Sequence, residues 1–328
     1  MQAVIYGVGN PLIDIIVPVT DEDLSYLGIH KGTMHLIDEA KRMELIEFIG
    51  EKETTYSSGG SCPNTIITLS ALGIPSALGG MIGSDKYGPI YRKTLTESNA
   101  LDELRVSSSP TGSSIILITP DSERTMNTYL GANRLFGPED LAVETLKKAA
   151  FFHFTGYMWD TEPQKRAIHK GLEIAKASGV KISFDIADPF AVSRNREAFI
   201  SIIKDYADIV FANKEEARIL FNNYDAYECA KSMGKICALS IVKNGKLGSF
   251  VNDHRKIVSI PVQGGDPVDT TGAGDNYAAG FLYGMSSGES IEESGNMASY
   301  LAGEIIDQVG AQFSNEKIQE LKAHLISR

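Results

Sequence analysis

The run Phe151-Phe152-His153-Phe154, a helical pattern over residues 163–178 that stops at Gly179, and the run Val180-Lys181-Ile182-Ser183-Phe184-Asp185 together decide the fold. The two short apolar runs read as buried strands. Between them Ala167, Ile168, Leu172, Ile174 and Ala175 recur at helical spacing, and Gly179 supplies a left-handed stop. Strand, helix and strand with short connections form a parallel crossover unit. C-terminally the pattern continues with helix 197–206, strand 209–212, helix 214–221, strands 239–243 and 249–251, and helices 276–286, 291–309 and 316–326. N-terminally it gives strand 4–7, helix 63–72, strand 76–80 and helix 87–98. The expected fold class is α/β: a doubly wound, mainly parallel sheet with helices on both faces. Segments 15–20, 32–38, 113–119 and 124–131 have β character but no crossover helix. They are expected to pair into a small β lid over the C-terminal strand ends, where such sheets bind ligands. No repeat or linker-like run divides the chain, so a single domain over residues 1–328 is expected.

Composition narrows the function classes. Of 328 residues, 43% are hydrophobic and 22% charged, ordinary for a globular enzyme. Net charge is −11 and no basic stripe occurs, which argues against a nucleic-acid surface. No run has the length of a membrane span. The opening Met1-Gln2-Ala3-Val4-Ile5-Tyr6 lacks the basic region of a signal peptide. Cys62, Cys229 and Cys237 have no ligand spacing and read as reduced thiols of a cytoplasmic protein.

The chemistry is concentrated in Asp269-Thr270-Thr271-Gly272-Ala273-Gly274-Asp275, followed by Tyr277-Ala278-Ala279-Gly280-Phe281-Leu282. This is a Gly-rich turn opening a helix, with a carboxylate in the first helical turn. The N–H groups of Gly272, Ala273 and Gly274 are expected to point at an anion, where the helix dipole favours negative charge. Asp275 suits phosphate binding poorly, since like charges repel. It suits removal of a proton from a hydroxyl that attacks the phosphate.

With this block in place, the chain resembles the ribokinase-like (PfkB) carbohydrate kinases. Other blocks carry the likeness over nearly the whole length: Gly7-Val8-Gly9-Asn10-Pro11-Leu12-Ile13-Asp14, Ser58-Gly59-Gly60-Ser61-Cys62-Pro63-Asn64, Gly79-Gly80-Met81-Ile82-Gly83-Ser84-Asp85, Asn213-Lys214-Glu215-Glu216 and Val242-Lys243-Asn244-Gly245. Gly-Asn-Pro-Leu-x-Asp and the stretch from Arg124 to Asn133 are similar to the adenosine-kinase-like branch. Tyr157-Met158-Trp159 stands where animal members carry a Phe-Phe pair, and Met34 where a base-reading polar residue is expected.

The resemblance implies ATP with Mg²⁺, and it brings the K⁺ site of several relatives to Asp269 and Thr271. It assigns Asn10, Asp14, Gly59, Gly60 and Asn64 to the acceptor. Fixed carboxylate and amide groups suit vicinal hydroxyls, though the residues alone also allow Asp14 as a turn residue and Asn64 as a helix cap. It assigns Asn213 and Glu216 to the nucleotide–metal side, with Glu216 holding Mg²⁺ through water. Lys243, Gly245, Thr271, Gly272 and Gly274 fall near the phosphates and Asn296 near adenine. Lys243 also fits a solvated lysine. Arg124 is expected either on the transferred phosphoryl group or paired with Glu123 or Asp121. His153 reads as a core residue. The expected reaction is phosphorylation of a primary hydroxyl of a purine nucleoside, adenosine foremost. A kinase for a free sugar such as ribose or fructose is the alternative, and a non-catalytic binding module on the same fold a second. Either a monomer or a homodimer with paired lids is compatible with the sequence.

Overall fold

The computed structural model describes residues 2–121 and 123–326. Residues 1, 327 and 328, the ends of the expected single domain, lie outside the described residues. The main sheet is nine-stranded. Its strands are β1 (Ile5–Val8), β5 (Ser76–Gly83), β6 (Leu101–Ser107), β9 (Phe151–Thr155), β10 (Lys181–Asp185), β11 (Ile209–Asn213), β12 (Leu239–Lys243), β13 (Ser249–Asn252) and β14 (Ile257–Ile260). Their order is β14-β13-β12-β11-β10-β9-β1-β5-β6, parallel throughout except that β13 pairs antiparallel with both β12 and β14 at one edge. β1 sits inside the sheet. From it the chain winds outward through β5 and β6, then returns to β9 and winds the other way. The switch point therefore lies between β1 and β9, and ligands bind such sheets there, outside the strands' C-terminal ends.

Helices cover both faces because β1, β5 and β9 are apolar on both sides. One core gathers Ile66, Leu69, Phe281 and Leu301 with the sheet; the other gathers Ile168, Leu172, Phe199 and Leu220. The helices Ala273–Ser287 and Ile291–Ile305 pack very closely. A Cβ on Gly280 would sit 2.7 Å from Cα of Ala298, and one on Gly284 2.8 Å from Cα of Ser294.

The second sheet has five strands: β2 (Leu12–Pro18), β3 (Met34–Leu36), β4 (Thr55–Gly59), β7 (Gly112–Ile118) and β8 (Arg124–Tyr129), in the order β3-β8-β7-β2-β4. Four of these fall on the expected lid segments. The fifth, β4, was not expected: Thr55-Tyr56-Ser57-Ser58-Gly59 has little apolar alternation and is held by pairing with β2. The pleat sorts this sheet's side chains. In β2, Ile13, Ile15 and Val17 are buried in the core, while Leu12 and Asp14 line the cleft. In β8, Thr125, Asn127 and Tyr129 are buried, and Met126 and Thr128 line the cleft.

Two further differences from the sequence reading matter. The helix expected over 291–309 ends at Ile305. Beyond it the chain turns back along the anion loop, Ile306 O accepting Val268 N at 2.8 Å and Asp269 N at 3.2 Å. The helix expected from 197 begins at Pro189, because Asp188 caps it through Ala191 N, and it kinks at Asn195. The helices Asp21–Leu27, Glu39–Ile49 and Ala226–Met233 and the strands β6 and β14 were also missed.

Candidate active site

A cleft of 1370 Å³ runs along the C-terminal ends of the parallel strands, beneath the second sheet. The loop after β1 brings Asn10 to it, the turn after β9 brings Tyr157, and the ends of β10, β11 and β12 bring Asp185, Asn213 and Lys243. Gly272 caps the helix that carries Asp275. Its φ of 76° is left-handed, and a Cβ there would lie 2.6 Å from Cβ of Ala311, so only glycine fits.

Asp275 lies between two helix N-termini. Its Oδ1 accepts the Ser61 hydroxyl at 2.6 Å and its Oδ2 the Asn64 amide at 2.9 Å, while the Thr65 hydroxyl donates to its backbone carbonyl at 3.0 Å. Burial pushes the carboxyl up to about 6, and the Ser61 and Asn64 bonds oppose the rise. The group is thus ionised at neutral pH yet close enough to it to take and return a proton. Among the loop N–H groups, Gly272, Gly274 and Asp275 have no intramolecular partner among the described residues. Ala273 departs from expectation: its N–H is spent on Thr270 O at 3.2 Å, closing the turn, so it is not available to an anion.

The acceptor residues divide. Asp14 projects from β2 into the cleft; burial raises its carboxyl to about 7, with Arg124 opposing. Gly59 is glycine for that carboxylate's sake, since a Cβ would lie 2.8 Å from Cγ of Asp14. Gly60 lines the cleft with φ 106°, and a Cβ there would collide with Asn10 O. Asn64 is no helix cap, because Gly60 caps that helix; its amide nitrogen is committed to Asp275. Asn10 is buried, its Oδ1 taking Gln164 Nε2 at 2.8 Å.

On the nucleotide side, Asn213 and Glu216 form a capping box. Both Glu216 oxygens accept from Asn213, at 2.7 Å from its N and 2.6 Å from its Nδ2. Burial lifts Glu216 to about 7, opposed by Lys243. Lys243 is not a solvated lysine. Its ammonium lies 3.2 Å from Asp185 Oδ2, and a Cβ on Gly274 would come within 3.2 Å of it. Burial alone would lower this lysine, but Asp185 and Glu216 outweigh it and hold the proton on. Gly245, φ 58°, lines the same stretch. Asn296 is not brought to the cleft. Its amide nitrogen goes to Glu293 at 3.3 Å and its carbonyl holds Gln263 Nε2 at 3.0 Å; Ser299, Ala302 and Gly303 line that end instead.

Arg124 pairs with neither Glu123 nor Asp121. It forms an ion pair with Asp269, joining β8 to the anion loop. Asp269 also accepts Thr271 N at 2.9 Å, Thr271 Oγ1 at 2.7 Å and Gly310 N at 2.9 Å. Despite burial, these donors and Arg124 hold its carboxyl below the usual range. Four donors fill the lone pairs of the carboxylate. The expected K⁺ site at Asp269 and Thr271 therefore does not fit: the guanidinium already supplies the positive charge. A Mg²⁺ ion fits differently. No group of three acidic, His or Cys side chains converges for direct ligation among the described residues. Glu216, Asp185 and Asp188 nevertheless line the cleft near the ammonium of Lys243, an arrangement suited to a hydrated ion carried on phosphates. His153 is a core residue: its Nδ1 meets Ser183 Oγ at 2.9 Å, and burial pushes it down to about 3.

A buried carboxylate in the first turn of a helix, beside free loop N–H groups at the rim of a large cleft, is an arrangement that can serve phosphoryl transfer. The chain belongs to the pfkB family of carbohydrate kinases, which matches residues 33–318. It is an ATP-dependent kinase of adenosine-kinase-like type. It is 28% identical to adenosine kinase of Saccharomyces cerevisiae over 98% of this chain and 100% of that one. Among solved structures it is similar to a probable sugar kinase from Rhizobium etli, 33% identical with a TM-score of 0.89 over 99% of both chains. Adenosine kinase from Sinorhizobium meliloti is 33% identical, with a TM-score of 0.88 over 98% of this chain and 99% of that one. Among the described residues no helix is long and apolar enough to cross a membrane.

Proposed function

We propose that this kinase transfers the γ-phosphoryl group of ATP to the 5′-hydroxyl of a purine nucleoside, adenosine foremost. One observation carries the choice of a nucleoside over a free sugar. Past Asp14 the cleft runs on under Met34, Leu36, Met126 and Leu130, with Tyr157 on the main sheet's side. An apolar slot of this kind takes a flat ring; ribose or fructose alone would leave it unfilled. The adenosine kinases among its relatives support the same reading.

In this account Asp14 and Gly60 hold the ribose, and Ser61 and Asn64 position Asp275. The Asp275 carboxylate accepts the hydroxyl proton as the oxygen attacks phosphorus. The free N–H groups of Gly272, Gly274 and Asp275, with Lys243, meet charge developing on the transferred group. Arg124, held by Asp269, ties the loop to the second sheet, which excludes water when closed. Glu216 and Asn213 would hold Mg²⁺ through its waters, and the ion would supply charge neutralisation at the phosphate oxygens. All three cysteines are free and buried, in keeping with a reduced cytoplasmic setting.

Release of ADP, followed with adenosine, inosine, ribose and fructose as acceptors, tests the proposal. Turnover with the nucleosides well above the sugars is expected. A preference for ribose or fructose contradicts it, and no ADP with any acceptor favours a binding module.

A further inference from the structure

The acceptor slot does not end at Tyr157. Asp160 lines both the main cleft and an adjoining recess of 260 Å³, which Leu36 and Leu130 of the second sheet wall on one side. Asp160 is only 12% exposed. Its Oδ1 accepts a hydrogen bond from Arg194 Nη2 at 3.0 Å, and Arg194, at 54% exposed, lines the same cleft and recess. Among the described residues no donor reaches Oδ2. Burial raises the Asp160 carboxyl, with Arg194 opposing. Oδ2 is not sealed from solvent. A ring seated in the slot displaces the water there, so the ring has to supply a donor in its place or leave the anionic oxygen unmet.

We propose that Asp160, oriented by Arg194, accepts a hydrogen bond from an amino group on the ring edge remote from the ribose, and so selects a 6-aminopurine nucleoside over its 6-oxo counterpart. The inference rests on the nucleoside reading above. A 6-oxo group would set an acceptor against the carboxylate. Purine riboside, which lacks any substituent there, forfeits the bond without repulsion.

The test compares kcat and KM for adenosine, inosine and purine riboside in the wild type and in Asp160→Asn. The wild type is expected to favour adenosine over purine riboside by about 10- to 100-fold in kcat/KM, the range for a hydrogen bond to a charged group. In Asp160→Asn that advantage should vanish through KM, with kcat nearly unchanged, and inosine should gain on adenosine because the amide offers a donor. Arg194→Ala, at an exposed position, gives the same readout should the first variant misfold, since the unpropped carboxylate loses its orientation. Wild-type adenosine preference retained in either folded variant overturns the inference while leaving the kinase reading intact. A wild type that phosphorylates only free sugars overturns both.

Discussion

Asp275 shows how much one residue depends on its neighbours. A carboxylate beside an anion loop repels phosphate, yet here it carries donors from Ser61 and Asn64 on one side and burial on the other, which leave it near 6. In the proposed mechanism the proton must be off for turnover. The kcat/KM profile should therefore fall about tenfold per unit as pH drops below about 6, the value burial gives the free enzyme. Ser61→Ala removes one donor to the ionised form, so the limb should move to higher pH; a limb that stays in place would separate it from Asp275. Asp14 is testable separately. Asp14→Asn weakens its hold on the ribose hydroxyls, so KM for the acceptor should rise about 10-fold or more, while KM for ATP holds. The position of Asp275 on the first turn behind a Gly-rich loop was legible in the sequence because that loop is contiguous. The partners of Asn64 and Arg124 were not, because each lies more than a hundred residues away.

At the scale of elements, the anion loop is a helix start locked from behind. Gly272 is left-handed and backs onto Ala311, which the turn after Ile305 carries into place. Gly272→Ala should therefore cost about 2 kcal/mol or more, combining backbone strain with overlap. Gly245→Ala has a similar φ but nothing within 4 Å of the added methyl, so about 1 kcal/mol is expected there. Urea midpoints of the two variants check the difference, and equal losses would mean that Ala311 does not back the loop. The turn that brings Ala311, Gly310 and Gln312 to the site was hidden in the sequence, since the apolar spacing of 291–309 continues past the point where the helix stops. The parallel strands were readable because they are short, doubly buried runs. β4 was not, because its placement comes from pairing with β2.

At the scale of the molecule, the fold puts the acceptor pocket and the anion loop on opposite ends of the chain and closes them at the switch point between β1 and β9. The Arg124–Asp269 pair ties the two halves together and fills the carboxylate that a monovalent cation would need. Replacing K⁺ by a bulky organic cation at constant ionic strength should therefore leave kcat nearly unchanged; a large loss would mean that Arg124 leaves Asp269 in the working enzyme. The doubly wound sheet and the motif residues at its strand ends were legible as sequence. The end proposed to read the base, with Asp160 and Arg194, was not, because neither residue carries a motif and only the fold brings them to the cleft. The most direct measurement is turnover of adenosine by Asp275→Asn, with ADP and AMP followed together and ATP binding measured in parallel. The account predicts kcat lower by about 10²- to 10⁴-fold, the contribution of a general base, with ATP affinity nearly unchanged. Near-normal turnover in that variant would contradict it.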